Sequence, residues 1–509
     1  MSRPEAELHR WLETARRRLE GFAPAPEATR YGRILRVGDE VVTVTGLDRV
    51  RLDEMVEAEG GGRAFAVRIS REESGCVVVE EGAGLHAGGR VRPLGEVVRV
   101  PVGEGLLGRV VDALGRPLDE GPPPPAEDHW PVARPAPPIV DRDFVREPLL
   151  TGIAVIDAML PLGRGQRELV LGDRKTGKTA IVVDSIIAQK RSDLICVYAA
   201  IGQKTTTVRQ IVDAVREHGP FERCIFVVGA AESPPGQQWL VPFTACTMAE
   251  YFRDHGQHAL LVLDDLTKHA DIHRQIALLL RAPPGREAYP GDVFALHARL
   301  LERSAKLAPR LGGGSLTALP VAETQAGNLS AYIPTNLISI TDGQIYLEPR
   351  LFHEGQKPAV NVGLSVSRVG GKAQPPALRS LAEHLRLDYA QFRELELFTR
   401  FGGVADERTR RTLRHGRRIR FLLNQPQYAP LSLGQLVLLL LALEEGRLDP
   451  LPEKALPEAR RRLVERAPAA CAPALARIEA LAPLDPELRR VLLAAVDGVL
   501  AGLAEGSGG

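Results

Sequence analysis

Between residues 5 and 22, Leu8, Trp11, Leu12, Ala15, Leu19 and Phe22 recur at helical spacing, and Glu and Arg fill the opposite face. Gly21, Pro24 and Pro26 end the pattern. The spacing predicts an amphipathic helix within residues 1–25, whose apolar stripe packs on its own chain or docks on a partner. From Tyr31 to about Val100 the rhythm changes to short β-rich pieces, such as Glu40–Thr45, Ala64–Ile69 and Cys76–Glu80, divided by turns that include Gly60-Gly61-Gly62. Strands of this length and spacing predict a small barrel or sandwich over residues 26–95.

A proline-dense stretch, Pro122 to Pro138, cannot be helix interior. It reads as an extended wrap over the surface of the next domain, or as a plain linker. From about Leu149 to Arg368, apolar strands alternate with helical stretches. The strand candidates are Glu168–Leu171, Leu194–Ala199, Cys224–Val228, Ala259–Leu263 and Leu337–Thr341. Such alternation predicts a mostly parallel sheet covered by helices on both faces, in a domain spanning 96–374. Beyond Gln374 strand patterns stop, and Arg-, Leu- and Ala-rich helical patterns fill 375–509. The expected architecture is multidomain: an N-terminal β-barrel, a central α/β domain and a C-terminal α-helical domain.

Composition narrows the function classes. At 509 residues the chain exceeds one ordinary hydrophobic core. A formal net charge of +1 gives no bulk attraction to nucleic acid, so no nucleic-acid partner is expected. Five scattered cysteines without a C-x-x-C pair argue against a zinc site and fit reduced thiols. The first residues, MSRPEAELHRW, hold no apolar signal core. The longest apolar run, Leu436 to Leu443, is far short of the ~20 residues a membrane span requires.

The strongest local signal is GDRKTGKT, Gly172 to Thr179, which fits G-x-x-x-x-G-K-[ST]. Gly172 and Gly177 let the backbone curl so that several N–H groups meet one phosphate. Lys178 supplies a point charge to the β/γ oxygens, and the Thr179 hydroxyl suits Mg²⁺. Asp173, Arg174, Lys175 and Thr176 complete the loop. The apolar run Ala259–Leu263 ends in Asp264-Asp265, a carboxylate at the strand edge where ligands bind. Asp264 is the expected second partner of the Mg²⁺ shell, through water. The plainer reading is that the two aspartates cap the following helix.

A self-sufficient ATPase also needs a group that orients or deprotonates the attacking water. The strand candidate beside the phosphate loop, Leu194–Ala199, leads to Gln203, an amide with no basic function. Gln203 is either the residue at that post or an ordinary loop residue.

These residues, together with five longer blocks, resemble the alpha subunit of F-type ATP synthase. The blocks are GRGQRELVLGDRKTGKTA (163–180), LDDLTKHA (263–270), PPGREAYPGDVF (283–294), YIPTNLISITDGQIYLE (332–348) and VGLSVSRVGGKAQ (362–374). The resemblance is dense over about 140–430, weaker in the barrel and thin beyond Gly446. It implies a RecA-like P-loop domain in a ring of three alpha and three beta subunits around a gamma central stalk. It also implies a delta or peripheral-stalk contact through the N-terminal helix, and a place on the cytoplasmic side of the cell inner membrane. By the same resemblance the chain binds ATP with Mg²⁺ at its own loop without hydrolysing it. Gln203 stands where beta carries glutamate. Arg368 of the SVSRVG motif reaches the neighbouring beta site as an arginine finger, Gln425 and Gln427 lie near the adenine, and Pro284–Asp292 forms part of a sleeve around the stalk.

Three places depart from the family pattern: Lys175 replaces a glutamine, the pair Gly371-Lys372 replaces Ser-Ala, and Pro426 splits the glutamine pair where Gly is usual. They suggest a divergent branch, an alternative bacterial ATP synthase coupled to H⁺ or Na⁺. Two rival readings are a self-sufficient homohexameric ATPase, such as an RNA translocase or secretion ATPase, and a nucleotide-binding scaffold without a catalytic contribution.

Overall fold

The computed structural model describes residues 31–400, 406–501 and 503. The amphipathic helix expected in residues 1–25 lies outside them.

Six antiparallel strands, β1 (Gly32–Gly38), β2 (Val41–Thr45), β3 (Glu54–Ala58), β4 (Arg63–Ile69), β5 (Ser74–Glu80) and β6 (Arg90–Val97), close into a barrel in the order β1-β2-β5-β4-β3-β6. Closure leaves no free edge, and the inward residues Ile34, Val42, Val44, Val56, Ala64, Ala66, Cys76, Val78 and Val91 fill the interior.

The central domain is an eight-stranded sheet. In chain order its strands are β7 (Arg109–Asp112), β8 (Leu169–Asp173), β9 (Ile195–Gln203), β10 (Cys224–Ala230), β11 (His258–Asp264), β12 (Ser315–Thr324), β13 (Gly343–Leu347) and β14 (Val366–Ser367). Their spatial order is β14-β13-β8-β12-β11-β9-β10-β7. All neighbours run parallel except the edge pair β13–β14. Strands β8 to β12 carry almost unbroken apolar runs because helices cover both faces.

Four strands of this sheet escape the sequence pattern. β7 is four residues long, β12 contains Pro320, β13 follows a segment of the opposite type, and β14 is only two residues long. Leu337–Thr341, expected to be a strand, forms the last turns of a helix, Tyr332–Ile340, and the strand comes after it. The run Ile338-Ser339-Ile340-Thr341, β-branched at all but Ser339, suits either state. The deciding pattern is helical: Ile333, Leu337 and Ile340 share one buried face. The Thr341 hydroxyl then donates to the Leu337 carbonyl at 2.8 Å, closing the final turn.

The proline-rich stretch is a wrap. Asp128–Pro131 pairs antiparallel with Arg99–Val102, and the Tyr251 hydroxyl donates to Glu127 at 2.5 Å. Beyond residue 375 the described chain is helical. Its centre is Leu433–Glu444, buried nearly all round and started by a capping box in which Ser432 and Gln435 exchange hydrogen bonds. The apolar run that is too short to span a membrane is thus the core of the helical domain. Among the described residues no helix is long and apolar enough to cross a membrane. One continuous apolar core joins this domain to one face of the sheet. All five cysteines are free and buried.

Candidate nucleotide site

Strands β8, β9, β11 and β12 end together at the carboxyl edge of the sheet, where they deliver the candidate chemistry to one cleft of about 790 Å³. Gly172 ends its turn in close quarters: a Cβ there would stand 2.7 Å from the Thr176 hydroxyl and 2.9 Å from the Leu347 carbonyl. Gly177 takes φ 101°, which a side chain would resist, and the helix Lys178–Ala188 starts at the next residue. The loop therefore aims a helix N-terminus into the cleft. Lys178 donates to the carbonyls of Gly172 at 2.9 Å and Asp173 at 2.8 Å. Burial pushes its ammonium below the ordinary lysine range, against the pull of Glu323 and the nearby aspartates.

The two aspartates at the end of β11 make different contacts. Asp265 caps the helix Leu266–Leu279 by accepting from the Lys268 amide at 2.8 Å. Asp264 faces the loop: its Oδ2 accepts from the Thr179 hydroxyl at 2.8 Å and from the buried Tyr198 hydroxyl at 2.7 Å. Burial, with Asp264 adjacent, lifts the Asp265 carboxyl to about 7.

Gln203 also borders the cleft and is almost wholly buried. Its amide donates to the Asp264 carbonyl at 3.0 Å and to the Tyr198 hydroxyl at 3.3 Å, while its Oε1 has no partner. Two side-chain bonds hold it at the tip of β9.

Other expected site residues behave differently. Asp173 lies in the loop, but its carboxylate accepts from the Thr324 hydroxyl at 2.6 Å and the Gly327 amide at 2.9 Å, so it braces the loop from behind. Thr176 is buried and likewise bonds the Asp173 carbonyl, at 2.8 Å. Arg174 and Lys175 are exposed at the tip and border the cleft. Gln425 borders it too, yet its amide is engaged with backbone: it accepts from Ala154 at 3.0 Å and donates to Gly152 at 2.8 Å and Ala429 at 2.7 Å. Gln427 is exposed on the cleft wall. Arg368 is not part of this cleft; it follows the edge strand β14, exposed, and donates to the Ile338 carbonyl at 3.0 Å.

Several cleft residues were not singled out from the sequence: Glu323, Asp184, Lys204, Lys268, Lys357 and Phe352. Glu323 sits at the end of β12, with its Oε1 3.9 Å from Lys178 Nζ and 3.8 Å from Arg174 Nε. Composition held one usable signal. Of only nine lysines in the chain, Lys175, Lys178, Lys204, Lys268 and Lys357 all border this cleft. Six cations, these five and Arg174, face four carboxylates there: Asp184, Asp264, Asp265 and Glu323. Burial lifts Asp184 to about 6 and Asp265 to about 7, which increases the positive excess. Such a surface suits a polyphosphate. Thr179 and Asp264 offer oxygen donors, as a hard divalent cation requires, and Mg²⁺ takes few protein ligands when phosphates supply the rest. Among the described residues no group of three or more His, Cys, Asp or Glu is placed to hold a metal by itself.

The comparisons agree with this geometry. The family model described as ATP synthase alpha/beta family, nucleotide-binding domain, matches residues 152–367, and the C-terminal domain of the same family matches 374–499. ATP synthase subunit alpha 1 of Paraburkholderia xenovorans is 55% identical over 486 residues, covering 96% of this chain and 95% of its own. ATP synthase subunit alpha 3 of the same organism is 54% identical over 97% of this chain and 93% of its own. ATP synthase subunit alpha 2 of Burkholderia thailandensis is 56% identical over 89% and 82%. With phosphate loop, cleft and helical domain in one continuous match, this chain belongs to the ATP synthase alpha/beta family, as one of its alpha subunits.

Proposed function

We propose that the chain is the non-catalytic nucleotide-binding subunit of a rotary F-type ATP synthase, holding Mg-ATP in its own cleft and lending Arg368 to the catalytic site of an adjacent beta subunit. The observation that carries the first half is Gln203. The strand that ends in Gln203 is not the neighbour of the loop strand, since β12 and β11 lie between β8 and β9, but its tip borders the same cleft and presents there an amide fixed by two donated hydrogen bonds, where a water-activating carboxylate would be needed. Glu323, at the opposite side of the loop, has its Oε1 3.9 Å from Lys178 Nζ and 3.8 Å from Arg174 Nε. Gly172, Gly177, Lys178 and Thr179 would cradle the phosphates, with Thr179 and, through water, Asp264 on Mg²⁺. Held by these residues, Mg²⁺ would supply positive charge against the phosphates.

Arg368 supports the second half. It is exposed, with its backbone N–H fixed to the Asp342 carbonyl at 3.0 Å and its guanidinium in one hydrogen bond to a carbonyl. Its charge is therefore available to a neighbouring surface. Placed against charge developing on a transferring phosphoryl group, such a cation raises the rate by about 10³–10⁵. The partners of this reading are beta subunits alternating in the ring, a gamma stalk against the Pro284–Asp292 loop, and a peripheral stalk. The assembly would sit peripherally on the cytoplasmic face of the inner membrane and couple ATP turnover to ion movement. The numerals in the relatives' names support a place among alternative bacterial ATP synthases.

Purified chain alone should bind Mg-ATP and release no phosphate; brisk release would favour the self-sufficient ATPase. In the reconstituted complex, Arg368→Ala should abolish turnover with nucleotide still bound to this chain. A mild effect would leave only a scaffold.

A further inference from the structure

Beneath Arg368 lies a polar group with no part in the nucleotide cleft. Glu168, just before β8, is fully buried, and one of its carboxyl oxygens, Oε1, has no hydrogen-bond partner. A buried polar atom without a partner costs stability, so its retention calls for a physical reason. Its other oxygen accepts from the Gln166 amide at 2.8 Å, and the same amide donates to the Ser367 hydroxyl at 3.1 Å. Ser367 donates in turn to the Pro161 carbonyl at 2.7 Å and immediately precedes Arg368. Gly343 faces Ser367 across the β13–β14 pair. A Cβ on Gly343 would fall 2.6 and 2.8 Å from the two Glu168 oxygens. The carboxyl thus lies directly against the strand pair from which Arg368 projects, with no room for a side chain between them. Arg368 is close enough for its charge to act on that carboxyl, whereas burial and the nearby Asp342 push the carboxyl well above the usual range.

We infer that Glu168 is a positioning residue for Arg368: with Gln166 and Ser367 it forms a buried polar seat that fixes where the arginine leaves the sheet. The inference rests on the reading of Arg368 as the charge lent to the neighbouring catalytic site. The guanidinium reaches out on a flexible stem, so its placement depends on the strand end that carries it. A displacement of about 1 Å at such a group can cost about 10²-fold in rate without changing what binds.

The test uses the assembled alpha–beta complex. Glu168→Leu should lower kcat about tenfold or more, with KM and nucleotide binding to this chain within about twofold of the parent. Glu168→Gln, which keeps an acceptor for Gln166, should recover at least half of the rate. In an Arg368→Lys background, Glu168→Leu should cost less than about twofold, because the group it positions is gone. An equal loss in both backgrounds, a kcat within about twofold of the parent, or a rise in KM with loss of bound nucleotide would overturn the inference. If Glu168→Leu does not assemble, Gln166→Met is read through the same cycle with the same outcomes. Arg368→Ala separates the two claims. If it leaves turnover intact, the arginine reading falls; if it abolishes turnover while Glu168→Leu is silent, only the seat falls.

Discussion

Thr179 and Asp264, 85 positions apart in sequence, meet through one hydrogen bond of 2.8 Å, and Tyr198 donates to the same carboxylate oxygen from beneath at 2.7 Å. The phosphate loop and the end of β11 are thereby joined before any ligand is considered. The bond presents two oxygen donors to one point at the mouth of the loop.

Replacing that carboxylate separates metal from nucleotide. Asp264→Asn should weaken ATP binding in the presence of Mg²⁺ by about 10–100-fold, the scale of a hydrogen bond to a charged group. Binding with Mg²⁺ removed should change little. Titration of the purified chain with ATP, with and without Mg²⁺, measures the difference; equal losses in both conditions would exclude a metal role for Asp264.

Gln203→Glu should not create an ATPase. The amide donates to the Asp264 carbonyl and the Tyr198 hydroxyl, and a carboxylate has no hydrogen to give to the first. The new charge would also sit beside Asp264. We expect phosphate release without beta to stay at background, and a destabilisation of about 1–3 kcal/mol, read from denaturant midpoints. Sustained turnover by this variant alone would refute the account of the site.

Acid should act on a buried histidine pair behind the cleft. His269 Nδ1 and His297 Nε2 are 3.1 Å apart, and the remaining His297 nitrogen has no partner. Burial drives His297 down to about 3 and His269 well below its usual value. The unfolded chain, with imidazoles near 6.5, therefore binds more protons than the folded one between about 3 and 6.5. This contribution to stability is complete above that window and is lost as pH falls through it. Asp157 and Asp184, raised to about 6, act in the opposite sense, since their contribution is lost as pH rises. The variant His297→Gln isolates the histidine part. Relative to it, the parent should lose stability progressively on acidification, as followed by urea unfolding across pH.

Arg303 and Glu250 form an ion pair with both side chains essentially inaccessible. Arg303 donates to the two Glu250 oxygens at 3.0 and 2.7 Å, to the Thr247 hydroxyl at 2.7 Å and to the Val132 carbonyl at 2.8 Å. Arg303→Met should cost up to about 3–5 kcal/mol, because it removes the closest of three arginine partners of the buried Glu250 and leaves only Arg134 at 2.9 Å and Arg253 at 3.6 Å. Adding Glu250→Gln should return part of that loss. Thermal unfolding of the two variants tests the pair, and an additive further loss would contradict it.

The sequence by itself determined what depends on near neighbours in the chain. GDRKTGKT specifies a glycine-hinged loop and a helix start because its backbone geometry is local. Apolar runs ending at Asp264 and near Gln203 place chemistry at strand tips for the same reason. The barrel and the helical domain were legible in their periods. Tertiary structure decided what depends on residues far apart. It turned Leu337–Thr341 into helix by offering its Ile333–Leu337–Ile340 face a core, since local β-propensity is weaker than burial. It engaged Gln425 with the backbone at Gly152 and Ala154, more than 270 positions away, which no pattern near Gln425 announces. It brought Glu323 to Lys178, divided Asp264 from Asp265, and set Glu168 against the strand pair that carries Arg368. A carboxylate acquires its role from the charges and hydrogens around it, and those are assembled only when the chain closes on itself.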